Sequence, residues 1–165
     1  MTEISATATV TAGPQAVFAF LADLENHWRL TGPRIEVVSL EGPPGARSGG
    51  VVRMRGPLGT GRRASTRVLE AQPPSRMRGE AKVGGGTVAA VSWQLREVEA
   101  GTEVTLSARV IEAGGLDSLL LALGGRAWLQ RLFASTLQRL GGALARSAAE
   151  PAEPGDHAQS VPEPG

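Results

Sequence analysis

Apolar and polar residues alternate in short segments along most of this chain, and the period turns helical after the first strand and again near residue 126. Alternation with a period of two marks a strand with one buried face, whereas apolar residues every three or four positions mark an amphipathic helix. In the first strand, about Ile4 to Thr11, Ile4, Ala6, Ala8 and Val10 alternate with Ser5, Thr7, Thr9 and Thr11. Gly13-Pro14 breaks it, and Pro14 suits the first turn of a helix. Val17, Phe18, Phe20, Leu21 and Leu24 form the buried stripe of that helix. Asp23 to Trp28 reads as a second short helix or turn, ended before Gly32-Pro33.

Six strands follow, punctuated by glycine and proline. They are Ile35 to Glu41, Val51 to Arg55, about Arg62 to Ala71, Arg76 to Val83, a segment around Ala89 to Arg96, and one around Val104 to Val110. Gly42-Pro43-Pro44-Gly45, Gly56 to Gly61, Pro73-Pro74, Gly84 to Gly86 and Ala100-Gly101 separate them, and such tight turns predict an antiparallel meander. Leu129, Phe133, Leu137, Leu140 and Leu144 then fall on one face of a helix from Arg126 to Arg146. A lead-in helix is expected over Leu116 to Leu123. Gly124-Gly125 should break the two, and Gly141-Gly142 should fray or kink the end.

The acids and bases are unevenly distributed. Residues 1–146 hold 17 basic and 12 acidic residues, whereas the stretch from Ser147 holds four acids, four prolines and no Lys or Arg. That stretch cannot bury enough apolar surface to offset the entropy of ordering. We therefore expect one domain over 1–146 and a disordered acidic tail over 147–165.

With no cysteine, no disulfide or thiolate metal site is available. No paired-histidine or carboxylate–histidine helical motif suggests a metal, so no cofactor is expected. The N-terminal residues lack the pattern of a signal peptide, and the run Leu119 to Leu123 is too short to span a bilayer. A cytoplasmic location without stable membrane insertion is the default expectation. Oligomeric state is left open.

The opening strand Ala6-Thr7-Ala8-Thr9-Val10, the helix start Pro14-Gln15-Ala16-Val17-Phe18 and the segment Leu21-Ala22-Asp23-Leu24-Glu25-Asn26-His27-Trp28 carry a resemblance. With the strand series and closing helix they make residues 3–146 resemble the START/pollen-allergen-like (SRPBCC) superfamily, which includes polyketide cyclase/dehydrase-like and lipid-transfer proteins. The resemblance implies an α+β helix-grip fold, with a seven-stranded antiparallel sheet wrapped around the last helix. It also implies a hydrophobic cavity between them that holds a small hydrophobic molecule. The alternative it implies is an enzyme of the polyketide cyclase/dehydrase type, working in the same cavity.

Within that fold, alternation directs Val52, Met54, Met77, Ala81, Val91, Trp93, Leu95, Leu106, Ala108 and Val110 toward the cavity. Trp128, Leu129, Leu132, Phe133 and Leu137 would face them from the helix, and Phe20, Leu24 and Trp28 would close one end. An apolar lining with few polar groups suits a small apolar ligand. A packed core without a cavity gives the same pattern.

His27, Arg109 and Thr66 are the polar residues best placed to assist a reaction, but no spacing ties His27 to a catalytic partner. Packing of His27 on the second helix is the favoured reading, and Asp23 reads as a turn residue. The glycine stretches lack phosphate-loop and dinucleotide spacing and read as hairpins. Eight arginines between Arg47 and Arg78 share that segment with one acid, Glu70. Arg53, Arg55, Arg76 and Arg78 should share the outer sheet face, where an acidic partner could dock. Nucleic acid is not expected, because no aromatic residue interleaves them.

Overall fold

The computed structural model describes residues 3–33, 35–55, 61–84, 86–115 and 125–149. Seven strands form one sheet: β1 (Glu3–Val10), β2 (Ile35–Glu41), β3 (Gly49–Arg55), β4 (Gly61–Gln72), β5 (Arg76–Val83), β6 (Thr87–Val98) and β7 (Gly101–Glu112). Their spatial order is β1-β7-β6-β5-β4-β3-β2, with every neighbouring pair antiparallel. From β2 to β7 the chain meanders as its turns predict, and β1 pairs with β7. The helices α1 (Pro14–Leu21) and α2 (Leu24–Thr31) carry the chain from the β1 edge to the β2 edge. The α+β helix-grip architecture expected from the sequence is the one observed.

Both short helices start as their sequences dictate. Pro14 occupies the first turn of α1, where no backbone N–H is needed. Asp23 caps α2 through Oδ1, which accepts from the Glu25 N–H at 3.1 Å and from the Arg47 N–H at 3.3 Å. Asp23 is thus the turn residue expected of it, and it also ties α2 to the approach to β3. At the other end of α2, Gly32 has φ +89°, and a Cβ there would lie 2.7 Å from Arg139 Nη1. That guanidinium donates to the Leu30 carbonyl at 3.0 Å, placing a cation on the negative end of the helix.

The last helix, α3 (Arg126–Ala149), runs alongside β1. Arg126 Nη2 donates to the Glu3 carbonyl at 3.3 Å, and Gly141 sits against Val10. The fifteen residues of helix between them rise ~22 Å, and the seven of strand ~23 Å, so helix and strand advance together in parallel. The glycines at 141 and 142 do not end α3, which continues to Ala149. Ser147 to Ala149, assigned above to the tail, are helical, since the first proline beyond Arg146 is Pro151. The expected lead-in helix Leu116 to Leu123, the break at Gly124, the turn residues 56–60 and the tail from 150 lie outside the described residues.

Two buried clusters hold the sheet's concave face. The larger joins Val10, Met77, Trp93, Leu95, Val104 and Leu106 of the sheet to Val17, Phe18 and Leu21 of α1 and Leu137, Leu140 and Leu144 of α3. The smaller joins Leu24 and Trp28 of α2 to Val52 and Ala64. In the second cluster the six-membered ring of Trp28 approaches the sheet at Gly50, where a Cβ would fall 2.5 Å from the indole and 2.4 Å from the Ser39 carbonyl oxygen. Only glycine permits that approach.

Candidate functional site

Strand register divides the concave face into a filled half and an open half. One row across the sheet is Leu106, Trp93 and Met77, each a cross-strand partner of the next. These side chains are buried beneath α1 and the C-terminal turns of α3. Two residues along each strand, the row becomes Ala108, Val91, Gly79 and Val68. The next is Val110, Ala89, Ala81, Thr66, Gly50 and Leu40. The members of these two rows are half-buried apart from Gly50, which Trp28 covers, whereas Ile4 of β1, which pairs with Ala108 and extends its row, is fully buried.

The helix shows the same gradient. Leu129, Leu132 and Phe133 in the first turns of α3 are half-buried, whereas Leu137 and Leu140 are completely enclosed. Arg126 anchors those first turns at the Glu3 end of β1, and Ile4 next to it pairs with Ala108. The half-exposed stretch of helix therefore begins beside the Ala108 end of the half-buried rows. Ala108, Gly79, Ala89 and Ala81 bring small side chains to these rows, while Val68 and Val91 pack against the larger cluster.

The sequence-derived lining residues separate accordingly. Met54, Val91, Ala108, Leu132 and Phe133 are half-buried, Met54 against the α2 cluster and Val91 and Phe133 against the larger one. Trp28, Val52, Met77, Trp93, Leu95 and Leu106 are instead buried in the two packed clusters. Trp128 is not interior: it is 54% exposed. It precedes Leu129 by one residue, which turns it ~100° away from the buried stripe.

His27 faces the filled half. Its ring meets Trp93 edge to face, and Nε2 lies 2.6 Å from the Leu21 carbonyl oxygen. A carbonyl only accepts, so Nε2 carries the proton and Nδ1 the lone pair. Burial among apolar groups lowers the pKa of His27 to about 4, against the opposing pull of the Leu21 bond and the Asp23 charge. The imidazole is neutral at pH 7 and links α1, α2 and β6, in keeping with a packing role.

Arg109 is exposed on the convex face, where Nη2 pairs with Glu3 Oε2 at 3.1 Å, so it does not reach the concave side. Thr66 does lie in the open half, half-buried. Arg53, Arg55 and Arg78 are exposed, and Arg55, Arg76 and Arg78 pair at 3.5–3.7 Å with Glu36 or Glu70. The acids of neighbouring strands thus temper the basic face. A shallow depression of about 490 Å³ lined by Gln72, Arg76, Gln94, Arg96, Glu103 and Thr105 is polar and separate from the apolar rows. Among the described residues no cluster of His, Asp and Glu could hold a metal ion, and no helix is long and apolar enough to cross a membrane.

The sequence reading missed Arg62. Met54 is its cross-strand partner, and Ala64, two residues on, is buried in the α2 cluster. Arg62 therefore belongs to the concave face while its neighbour Arg63, opposite Arg53, is exposed on the convex face. The signal was present in Ala64, Thr66 and Val68 alternating with Arg63, Ser65 and Arg67.

The family model for polyketide cyclase/dehydrase and lipid transport matches residues 1–145. The chain belongs to this family. Solved structures share its fold at low identity. A protein from Thermus thermophilus has 20% identity and a TM-score of 0.68, with 89% of this chain and 99% of that one aligned. One from Mycobacterium smegmatis has 17% identity and a TM-score of 0.64, covering 86% and 90% of the two chains. One from Rhodobacter sphaeroides has 24% identity and a TM-score of 0.62, covering 88% and 93%. No curated protein matches the chain.

Proposed function

We propose that this family member binds a small hydrophobic molecule between the open half of the sheet and the first turns of α3. The observation that carries the reading is the gradient of burial along one continuous apolar face. Leu106, Trp93 and Met77 are packed, yet Ala108, Val91, Val110, Ala89 and Ala81 on the same strands remain half-exposed. Small side chains at these positions leave room for a guest. Each Å² of apolar surface that the guest buries contributes about 25 cal/mol before the costs of association.

The test is to fill the space. Ala89→Trp and Ala108→Trp should abolish binding of a neutral fluorescent probe, N-phenyl-1-naphthylamine, while changing the melting temperature little. Undiminished probe binding in both variants would refute the site. A second reading, supported by the family's description, is a cyclase or dehydratase acting on a polyketide-like chain in the same space. Its contribution would be chiefly to position the chain and exclude water. Turnover of a polyketide-like substrate that is lost in the same tryptophan variants would favour it over simple carriage.

A further inference from the structure

All three described helices pack on the concave side of the sheet, which leaves its convex face bare. In the β3–β5 sector of that face the strand register sets like charges side by side. Arg53 of β3 is the cross-strand partner of Arg63 of β4, and Arg67 follows on the same face of β4, ~13 Å further along. Ser65 lies between Arg63 and Arg67, opposite Lys82 of β5. The three arginines are exposed. The nearest acids are engaged elsewhere. Glu36 stands opposite Arg53 but pairs with Arg55 at 3.6 Å. Glu80 stands opposite Arg67 but pairs with Lys82 at 3.2 Å. Glu41 lies over Gly49, the other cross-strand neighbour of Arg67, without reaching it. Among the described residues, Arg53, Arg63 and Arg67 therefore have no ion-pair partner.

Like charges directly opposite one another across two strands are destabilising, and an external anion relieves that repulsion. The rest of the sector indicates which kind. Its centre is the hydroxyl of Ser65, and β2 to β5 contain no aromatic residue. A protein partner would need an anchor near the centre of its interface, and single-stranded nucleic acid would need stacking platforms. A bilayer of anionic lipid needs only positive charge spread over an exposed face. Leu69, 63% exposed two residues beyond Arg67, adds an apolar contact at the margin.

We infer that the convex face docks peripherally on an anionic lipid surface through Arg53, Arg63 and Arg67. The inference concerns the face opposite the apolar rows and does not depend on the ligand reading. Co-sedimentation of the whole chain with vesicles tests it. The protein should bind mixed phosphatidylcholine/phosphatidylserine vesicles, ignore pure phosphatidylcholine vesicles, and be released by high salt. Arg53→Gln, Arg63→Gln and Arg67→Gln should each weaken binding about fivefold, and the three together about a hundredfold. Replacing the same three by Lys should retain most of the affinity. Arg109→Gln, on the same face but paired with Glu3, should have a smaller effect than any of the three. The triple Gln variant should melt no lower than the wild type, since it removes repulsion and no contact. Absence of binding to the mixed vesicles, equal binding to both vesicle types, or full affinity in the triple Gln variant overturns the inference. Binding to immobilised polyglutamate without binding to the mixed vesicles also overturns it, and assigns the face to an acidic protein instead.

Discussion

His27 and Trp93 meet with ring centroids 5.2 Å apart and planes at 66°, an edge-to-face contact that joins α2 to the middle of the sheet. Because the imidazole also donates to the Leu21 carbonyl, a single neutral side chain holds three elements together. Its pKa of about 4 lies below the ordinary value of 6.5. Below pH 6.5 the unfolded chain therefore takes up a proton that the folded protein refuses. The contribution of His27 to stability is complete above that pH and declines as pH falls toward 4, by up to about 3 kcal/mol. Urea unfolding at pH 7.5 and 4.5 should show the decline, and His27→Gln should remove that component. Equal pH dependence in both proteins would contradict a neutral buried imidazole.

Gly50→Ala should destabilise the protein by about 3 kcal/mol, the upper range for forcing an extra carbon into a packed site. The clash at the Ser39 carbonyl is with backbone, so a side-chain rotation cannot relieve all of it. Trp28 fluorescence should shift at the same time, as the indole lifts from the sheet. Native-like stability in this variant would show that the indole does not need the bare glycine surface.

Leu140 and Leu129 lie on the same stripe of α3 but should respond differently to truncation. Leu140 is fully enclosed, and Leu140→Ala should cost about 2–5 kcal/mol. Leu129 is half-buried over the open rows, and Leu129→Ala should cost about 1 kcal/mol or less. Chemical denaturation of the two variants measures the asymmetry. Equal losses would mean that the first turns of α3 are as tightly packed as the rest.

Arg139→Met removes the donor to the Leu30 carbonyl and the cation at the end of α2. The expected loss is about 1 kcal/mol, partly screened by salt because the residue is exposed. Hydrogen exchange should show faster opening of α2 than of β6 in this variant. Unchanged exchange in α2 would indicate that its packed residues suffice to anchor it.

Alternation made the strands legible because half of each strand faces an apolar interior. The bounds of β2 and β5 agree with those inferred from Ile35 to Glu41 and Arg76 to Val83. The same alternation in β4 turns Arg62 inward and Arg63 outward. Trp128, expected to face the sheet with Leu129 and Phe133, is exposed because its angle on the helix separates it from both. Asp23 was readable as a turn residue because its chemistry acts locally, on the Glu25 N–H two residues away.

Periodicity and turn chemistry in this chain suffice for the order of elements and the identity of each face, since both depend on neighbours a few residues apart. They cannot distinguish fully buried Trp93 from half-buried Val91, because both sit on the same face of β6. That distinction depends on where α1, α2 and α3 come to rest over the sheet. Trp28 covers Gly50 and Leu137 and Leu140 are enclosed, whereas Ala81, Ala89 and Ala108 stay half-buried. Burial between layers is a property of residues distant in sequence, and so only the packing decides it.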